Sequence, residues 1–189
     1  MSKRFQLDLF QLFLYAALIG LAVEVIFLVR QNRQSRILVQ ELNQALASLS
    51  LQKGDHVLPF RVIDLRGIPT TISYGRESQK TLLFIFSTEC AVCEKNIPFW
   101  NYLCENADEK KYRIMGITRN NPFEVQLYVE DQKIKFPVFV SDDLSFWWSY
   151  KLFRLPQTIL INEQGIVEHV WQGVLFKPVR EKILKIMMN

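Results

Sequence analysis

With 189 residues and 49% hydrophobic side chains, the chain has room for one membrane or targeting element plus one domain of ordinary size. Its 23 basic and 19 acidic side chains leave a net charge of +4, and neither a basic aromatic-rich patch nor a phosphate-binding glycine loop accompanies it, so no nucleic-acid partner is expected. Three cysteines are too few to staple a small disulfide-built fold.

Lys3 and Arg4 precede an apolar run over residues 9–29, broken only by Gln11 and Glu24. Such a run makes about 30 Å of helix, enough to cross a bilayer. It is longer than the apolar part of a typical cleavable signal. The one small-x-small triplet, Ala45-Leu46-Ala47, lies beyond Arg30, Arg33 and Arg36. Residues 1–30 are therefore read as a retained signal anchor, touching lipid through residues 9–29, with Glu24 snorkelling to the headgroups. Basic residues flank the run on both sides, so charge counting does not set its orientation.

Residues 31–53 are read as a helical linker, polar and free of Pro and Gly as far as Gln52. Leu38, Leu42, Ala45 and Leu49 make one apolar seam at spacings of four, three and four. Two heptads of this kind serve to pair with a twin copy, to dock on the domain, or as a spacer. Gly54-Asp55 ends the linker, and residues 54–189 are read as the domain.

From Val57 onward strands and helices alternate, which predicts an α/β fold. Residues 57–63 and 68–73 flank Asp64-Leu-Arg-Gly67, a hairpin turn with Gly where a positive φ is needed. Residues 81–86 and 112–118 are continuous apolar strands, as expected of a sheet covered on both faces. A helix over 91–105 contains Pro98, which should kink or break it. Asn121-Pro122 caps another helix. A short strand at 137–140, a helix at 142–152, strands at 157–161 and 166–171 joined by Asn162-Glu-Gln-Gly165, and a helix at 177–188 complete the chain.

Cys90-Ala91-Val92-Cys93 carries the chemistry. It ends the apolar strand at 81–86 and opens the following helix. The spacing sets two thiols one turn apart, close enough to bridge, and puts the first beside unpaired N–H groups and the positive helix end, which favour thiolate. A structural zinc site would need a second Cys/His pair, whereas Cys104, His56 and His169 are single and scattered. A c-type haem attachment needs His after the second Cys, and Glu94 stands there. Cys104 reads as a buried structural thiol, and the two histidines as ordinary surface or strand residues. In Phe146-Trp-Trp148 the adjacent tryptophans point about 100° apart, so at least one belongs to the core.

From about Gly54 to the C-terminus this set of motifs resembles the membrane-anchored thioredoxin-like disulfide reductases of the TlpA/ResA type, within the redoxin and AhpC/TSA-like superfamily. Gly54-Asp-His-Val-Leu-Pro-Phe-Arg-Val-Ile-Asp64, Phe86-Ser-Thr-Glu-Cys-Ala-Val-Cys93, Pro98, Phe136-Pro137-Val138, Leu155-Pro-Gln-Thr-Ile-Leu-Ile161 and Gly165 carry the resemblance. It implies a thioredoxin-like fold, a mixed sheet flanked by helices with an N-terminal hairpin added. It also implies that Pro156 is a cis-proline facing the two sulfurs, with the Leu155 backbone pairing with an extended substrate strand. The alternative reading of the residues is an ordinary trans-proline opening the strand at 157–161.

Three positions depart from the family pattern. Glu89 stands where an aromatic residue often precedes the first Cys, and a carboxylate there raises the Cys90 pKa unless it points away. Asn96 replaces the Glu three residues past the second Cys, and Phe84 replaces the buried Asp of thioredoxins. Glu89 or Glu94 would then serve as acid–base groups.

The resulting expectation is a membrane-tethered thiol–disulfide oxidoreductase in which Cys90 attacks and Cys93 resolves, with no cofactor or metal besides the Cys90–Cys93 disulfide. Its substrates would be disulfides of extracytoplasmic proteins, in cytochrome c or metalloprotein maturation for instance. A membrane electron donor of the thiol-transfer type would re-reduce it, and the domain would face the periplasm or cell exterior. Two rival readings stand beside this one. A peroxiredoxin-like peroxidase would need Thr three residues before Cys90, where Ser87 stands. A non-catalytic assembly factor or Cu(I) carrier would use the two thiolates as soft ligands.

Overall fold

Strand alternation becomes a seven-stranded sheet in the computed structural model, which describes residues 2–75 and 79–188, with side chains from residue 10 onward apart from positions 40 and 43–48. The chain divides into two compact units, Met1–Leu46 and Ala47–Asn189.

The first unit is built on helix α1, Ser2–Ser48, which runs unbroken through the expected anchor and most of the expected linker. Its stretch Phe10–Val39 is long and apolar enough to cross a membrane, and none of its most apolar window is buried as a soluble core helix would be. Leu38 and Leu42 of the apolar seam are exposed, while Ala45 lies outside the described side chains.

Helix α1 stops at Ser48, four residues before the polar stretch ends at Gln52, because the chain already belongs to the domain there. Leu51 is buried in the domain core. Gly54 N–H donates to the Val167 carbonyl at 2.8 Å, Val167 N–H to Asp55 at 2.9 Å and Val57 N–H to Gly165 at 2.9 Å, with an antiparallel bridge between His56 and Ile166.

Strands β1 (Phe60–Asp64) and β2 (Pro69–Ile72) form the expected hairpin. Asp64 Oδ1 accepts from the N–H groups of Arg66 and Ile68 at 2.9 and 2.8 Å, and Gly67 takes the turn at φ +83°. The Ile68 N–H, ahead of the Arg66 bonds, holds the Asp64 carboxyl below its ordinary range. The remaining strands are β3 (Lys80–Ile85), β4 (Tyr112–Thr118), β5 (Val138–Val140), β6 (Gln157–Ile161) and β7 (Val167–Gln172). The order across the sheet is β2-β1-β5-β4-β3-β6-β7. Strands β3, β4 and β5 run parallel, and the hairpins β1–β2 and β6–β7 close the two sides antiparallel. Strand β3 is an interior strand, paired with β4 on one side and β6 on the other, so the thiol motif that follows it emerges from within the sheet rather than at an edge.

The two faces of β3 feed two cores. Leu82, Phe84 and Phe86 pack with α3 (Ile97–Asn106), α4 (Pro122–Asp131) and α6 (Lys177–Met187). Leu83 and Ile85 pack with Phe60, Val62 and Leu51, and with Phe146, Trp147 and Tyr150 around α5 (Leu144–Ser149). Burial on both faces explains why the strand reads as a continuous apolar run.

The expected helix over 91–105 is two helices, α2 (Ala91–Glu94) and α3. The break falls at Lys95-Asn96, and Pro98 becomes the second residue of α3, where its missing N–H has no intrahelical partner to lose. The expected helix over 142–152 contracts to α5, capped by Asp143 accepting from Ser145 N–H at 2.8 Å. Trp147 is buried with its indole N–H on the Ser141 carbonyl at 2.8 Å, whereas Trp148 is exposed.

Gly116 on β4 sits under two aromatic rings. A Cβ there would lie 2.7 Å from Phe136 Cε2 and 2.9 Å from Phe86 Cε1. Both rings are locked in the core, so Gly116→Ala should destabilise the domain by about 1–3 kcal/mol. Urea unfolding followed by circular dichroism measures it; no loss would mean that the rings move aside freely.

Candidate active site

Cys90 is the N-cap of α2, and its sulfur accepts from Cys93 N–H at 3.2 Å. The two cysteines form a disulfide with Cα atoms 5.2 Å apart. They are unequally placed: Cys93 is fully buried in the core beside Ile97 and Trp100, while Cys90 is half-buried at its rim. After reduction, the backbone N–H that faces the Cys90 sulfur is a donor ready for a thiolate.

The segment ahead of the motif is pinned from β4. Thr118 Oγ1 donates to Asn120 Oδ1 at 2.7 Å, and the same oxygen accepts from Thr88 N–H at 3.1 Å. Ser87 Oγ accepts from Glu89 N–H at 3.3 Å, and Cys90 N–H reaches the Ser87 carbonyl at 3.2 Å. Glu89 lies exposed, directed into solvent beside the motif.

The Leu155–Pro156 peptide is cis. The proline loop is joined to the dithiol helix by hydrogen bonds, since the Pro156 carbonyl accepts from Gly173, the Gly173 carbonyl from the Asn96 side chain, and the Cys93 carbonyl from Asn96 N–H. The bond from Gly173 N–H to the Pro156 carbonyl, at 2.8 Å, brings in the β7–α6 segment.

Asn96 completes this arrangement and was legible in the sequence only as a missing acid. It is fully buried; Nδ2 donates to the Gly173 carbonyl at 2.9 Å, and Oδ1 accepts from Leu175 N–H at 2.9 Å. Its partners lie 77 and 79 residues away, beyond the reach of any local pattern. Phe84, in the other place of a missing acid, is fully buried and stacked on Trp100 with centroids 4.8 Å apart.

Glu94 is exposed next to Cys93. Tyr128 of α4 stacks on Phe86, and its buried hydroxyl has no hydrogen-bond partner. Burial first, then the negative charges of Glu94 and Asp131, push that hydroxyl up to about 12, so it stays protonated near neutral pH.

The third cysteine takes no part in this. Cys104 is half-buried rather than buried, and its thiol donates to the Lys135 carbonyl at 3.6 Å. Burial, helped by Glu105 and Glu109, raises its pKa and keeps it a poorly nucleophilic thiol. His169 stacks on Trp171, and burial together with Lys53 holds its pKa below the ordinary value. His56 is exposed on the bridge to Ile166. Among the described residues no group of three or more His, Cys, Asp or Glu is placed to hold a metal ion.

Residues 53–170 match the AhpC/TSA family model. The chain is 27% identical over 135 residues to the thiol-disulfide oxidoreductase ResA of Halalkalibacterium halodurans, covering 71% of this chain and 76% of the relative. It is 25% identical over 101 residues to the sporulation thiol-disulfide oxidoreductase A of Bacillus subtilis, covering 51% and 61%. The structure resembles the thioredoxin domain of a thiol-disulfide oxidoreductase from Bacteroides vulgatus, with TM-score 0.64 and 18% identity over 73% of this chain and 99% of that one. It also resembles StoA from Bacillus subtilis, with TM-score 0.57 and 19% identity over 69% and 98%. A peroxiredoxin-like protein from Aquifex aeolicus shares the same core, with TM-score 0.59 and 14% identity over 72% and 88%. These likenesses give the thioredoxin-like fold.

Proposed function

The chain belongs to the AhpC/TSA family, and we propose that this thiol–disulfide oxidoreductase is tethered to a membrane and reduces disulfides of client proteins outside the cytoplasm. In this reading residues 1–30 are the anchor, 31–53 the linker that leads into the domain, and 54–189 the redox domain. The single observation that carries the site assignment is the asymmetry of the Cys90–Cys93 pair, one sulfur at the rim with a backbone donor and one sealed in the core.

The Cys90 thiolate attacks one sulfur of a client disulfide. That S–S bond breaks, a mixed disulfide forms on Cys90, and the departing client thiolate takes a proton. Cys93 then loses its proton and attacks Cys90 Sγ, which closes the Cys90–Cys93 disulfide and frees the second client thiol. Two electrons have passed from the dithiol to the client. Glu94, directly after Cys93, and Glu89, directly before Cys90, would serve as the acid–base groups for these protons, both being exposed next to the motif. The backbone of Leu155 beside Pro156 is where an extended client strand would pair.

A dithiol donor in the membrane returns the two electrons. Two copies would pair through the seam at Leu38, Leu42, Ala45 and Leu49, since anchoring in one membrane would hold them parallel. The placing of the domain on the extracytoplasmic side and the donor's class both rest on resemblance to exported members of the family.

The reduction potential of the Cys90–Cys93 pair tests the direction. The full-length protein, in detergent, is equilibrated against glutathione or dithiothreitol buffers, and a value well below about −220 mV is expected of a dedicated reductase. A value near about −120 mV would instead make the protein an oxidant. Peroxide consumption by the reduced protein, or stoichiometric Cu(I) binding without disulfide turnover, would replace the reading by one of its two rivals.

A further inference from the structure

Asn96 makes contacts that the sulfur chemistry does not require. It lies at the junction of α2 and α3, fully buried, with both ends of its amide satisfied by the segment between β7 and α6. That segment is bonded on its other side to the proline loop, through Gly173 N–H and the Pro156 carbonyl. Arg180 of α6 closes the same junction, with Nε on the Leu175 carbonyl at 2.5 Å and Nη2 on the Lys95 carbonyl at 3.4 Å. One amide therefore joins the dithiol helix to the segment between β7 and α6 and, through Gly173, to the proline loop.

The choice of residue is chemical. Gly173 offers a carbonyl and Leu175 an N–H, so the side chain between them needs one donor and one acceptor in a fork. A carboxylate of the same shape would satisfy Leu175 and turn lone pairs toward the Gly173 oxygen. An aliphatic residue would leave both backbone groups buried and unmet. The loop held in this way ends in Phe176, which is 67% exposed, whereas Leu175 points inward and is buried.

We infer that Asn96 is a positioning residue for client binding. It holds the Gly173–Phe176 loop against Leu155 and Pro156, so that Phe176 forms an apolar wall beside the disulfide. The client segment that fits is extended and carries an apolar or aromatic residue next to its own disulfide. Asn96 itself touches no sulfur in this arrangement. The inference rests on reading the Cys90–Cys93 pair as the site of client disulfide reduction.

The test uses full-length protein in detergent, dithiothreitol as reductant, insulin as a protein disulfide and oxidised glutathione as a small one. Asn96→Ala should raise KM for insulin about ten-fold while kcat changes less than about three-fold. Turnover of glutathione disulfide, too small to span the wall, should fall by no more than about three-fold. Phe176→Ala, at an exposed site, should reproduce the KM effect, and the double variant should be no worse than either single one within about two-fold. Asn96→Asp keeps the volume and the bond to Leu175 but loses the donor to Gly173, and should show the same KM rise in a folded protein. An unchanged KM with a falling kcat, or effects of Asn96 and Phe176 that multiply, would overturn the inference. Wild-type protein that reduces neither disulfide would instead overturn the reading of the site on which it rests.

Discussion

Cys90→Ser is expected to lower disulfide reduction by at least about three orders of magnitude, because a serine hydroxyl is a far weaker nucleophile than a thiolate. Cys93→Ser should behave differently. Cys90, half-buried at the rim, still attacks and forms the mixed disulfide, but the buried sulfur that would resolve it is gone. Client proteins should then accumulate as covalent adducts, visible on non-reducing gels and assigned to Cys90 by mass spectrometry. Stable adducts from the Cys90 variant would reverse the two roles. Cys104→Ser should change neither outcome, since that thiol is held protonated and faces the Lys135 carbonyl.

The largest stability effect is expected at Trp100. The indole is fully buried in α3, stacked on Phe84 at 4.8 Å and met edge-on by Phe136 at 6.2 Å. Its N–H donates to Thr158 Oγ1 at 3.0 Å, two residues beyond Pro156. Trp100→Ala removes the ring and leaves the Thr158 hydroxyl buried without its donor, for a loss of about 3–5 kcal/mol. Against a total stability of roughly 5–15 kcal/mol this brings the domain close to unfolding. Trp100→Phe keeps most of the stacking and loses the donor, so it should cost about 1–2 kcal/mol. Urea denaturation followed by circular dichroism separates the two; equal losses would mean that the ring packing Phe retains contributes nothing and that the lost Thr158 bond accounts for the whole effect.

Much of this fold was written locally. The apolar continuity of β3 and β4, the Asp64–Gly67 turn and the Asn121 cap each depend on neighbours a few residues apart, and the structure has them where periodicity put them. The thiol motif was equally plain, since strand, spacing and helix start lie in one short stretch. What escaped depends on distant partners. Leu51 looked like linker because its burial comes from the far-off core of β3, β6 and α5. Asn96 looked like the loss of an acid, because the two backbone groups it serves come from the other end of the chain. Helix α5 is shorter than its polar flanks suggested, because Tyr150 leaves the helix to bond Tyr74 at 2.9 Å and the Leu58 carbonyl at 2.7 Å.

The entry of the chain into the domain has a mechanical consequence. The backbone that leaves α1 passes Leu51 and is then laced to Gly165 and Val167 by the bonds at Gly54, Asp55 and Val57. Any pull transmitted along the helix loads this lacing before it reaches the sheet. Strand β7, which takes the strain, runs on to Gly173, the residue bonded to Pro156 and Asn96. A pull along α1 would therefore be felt at Gly173, and so at Pro156 and Asn96, before it crosses β6 to β3, the strand that leads into the thiol motif.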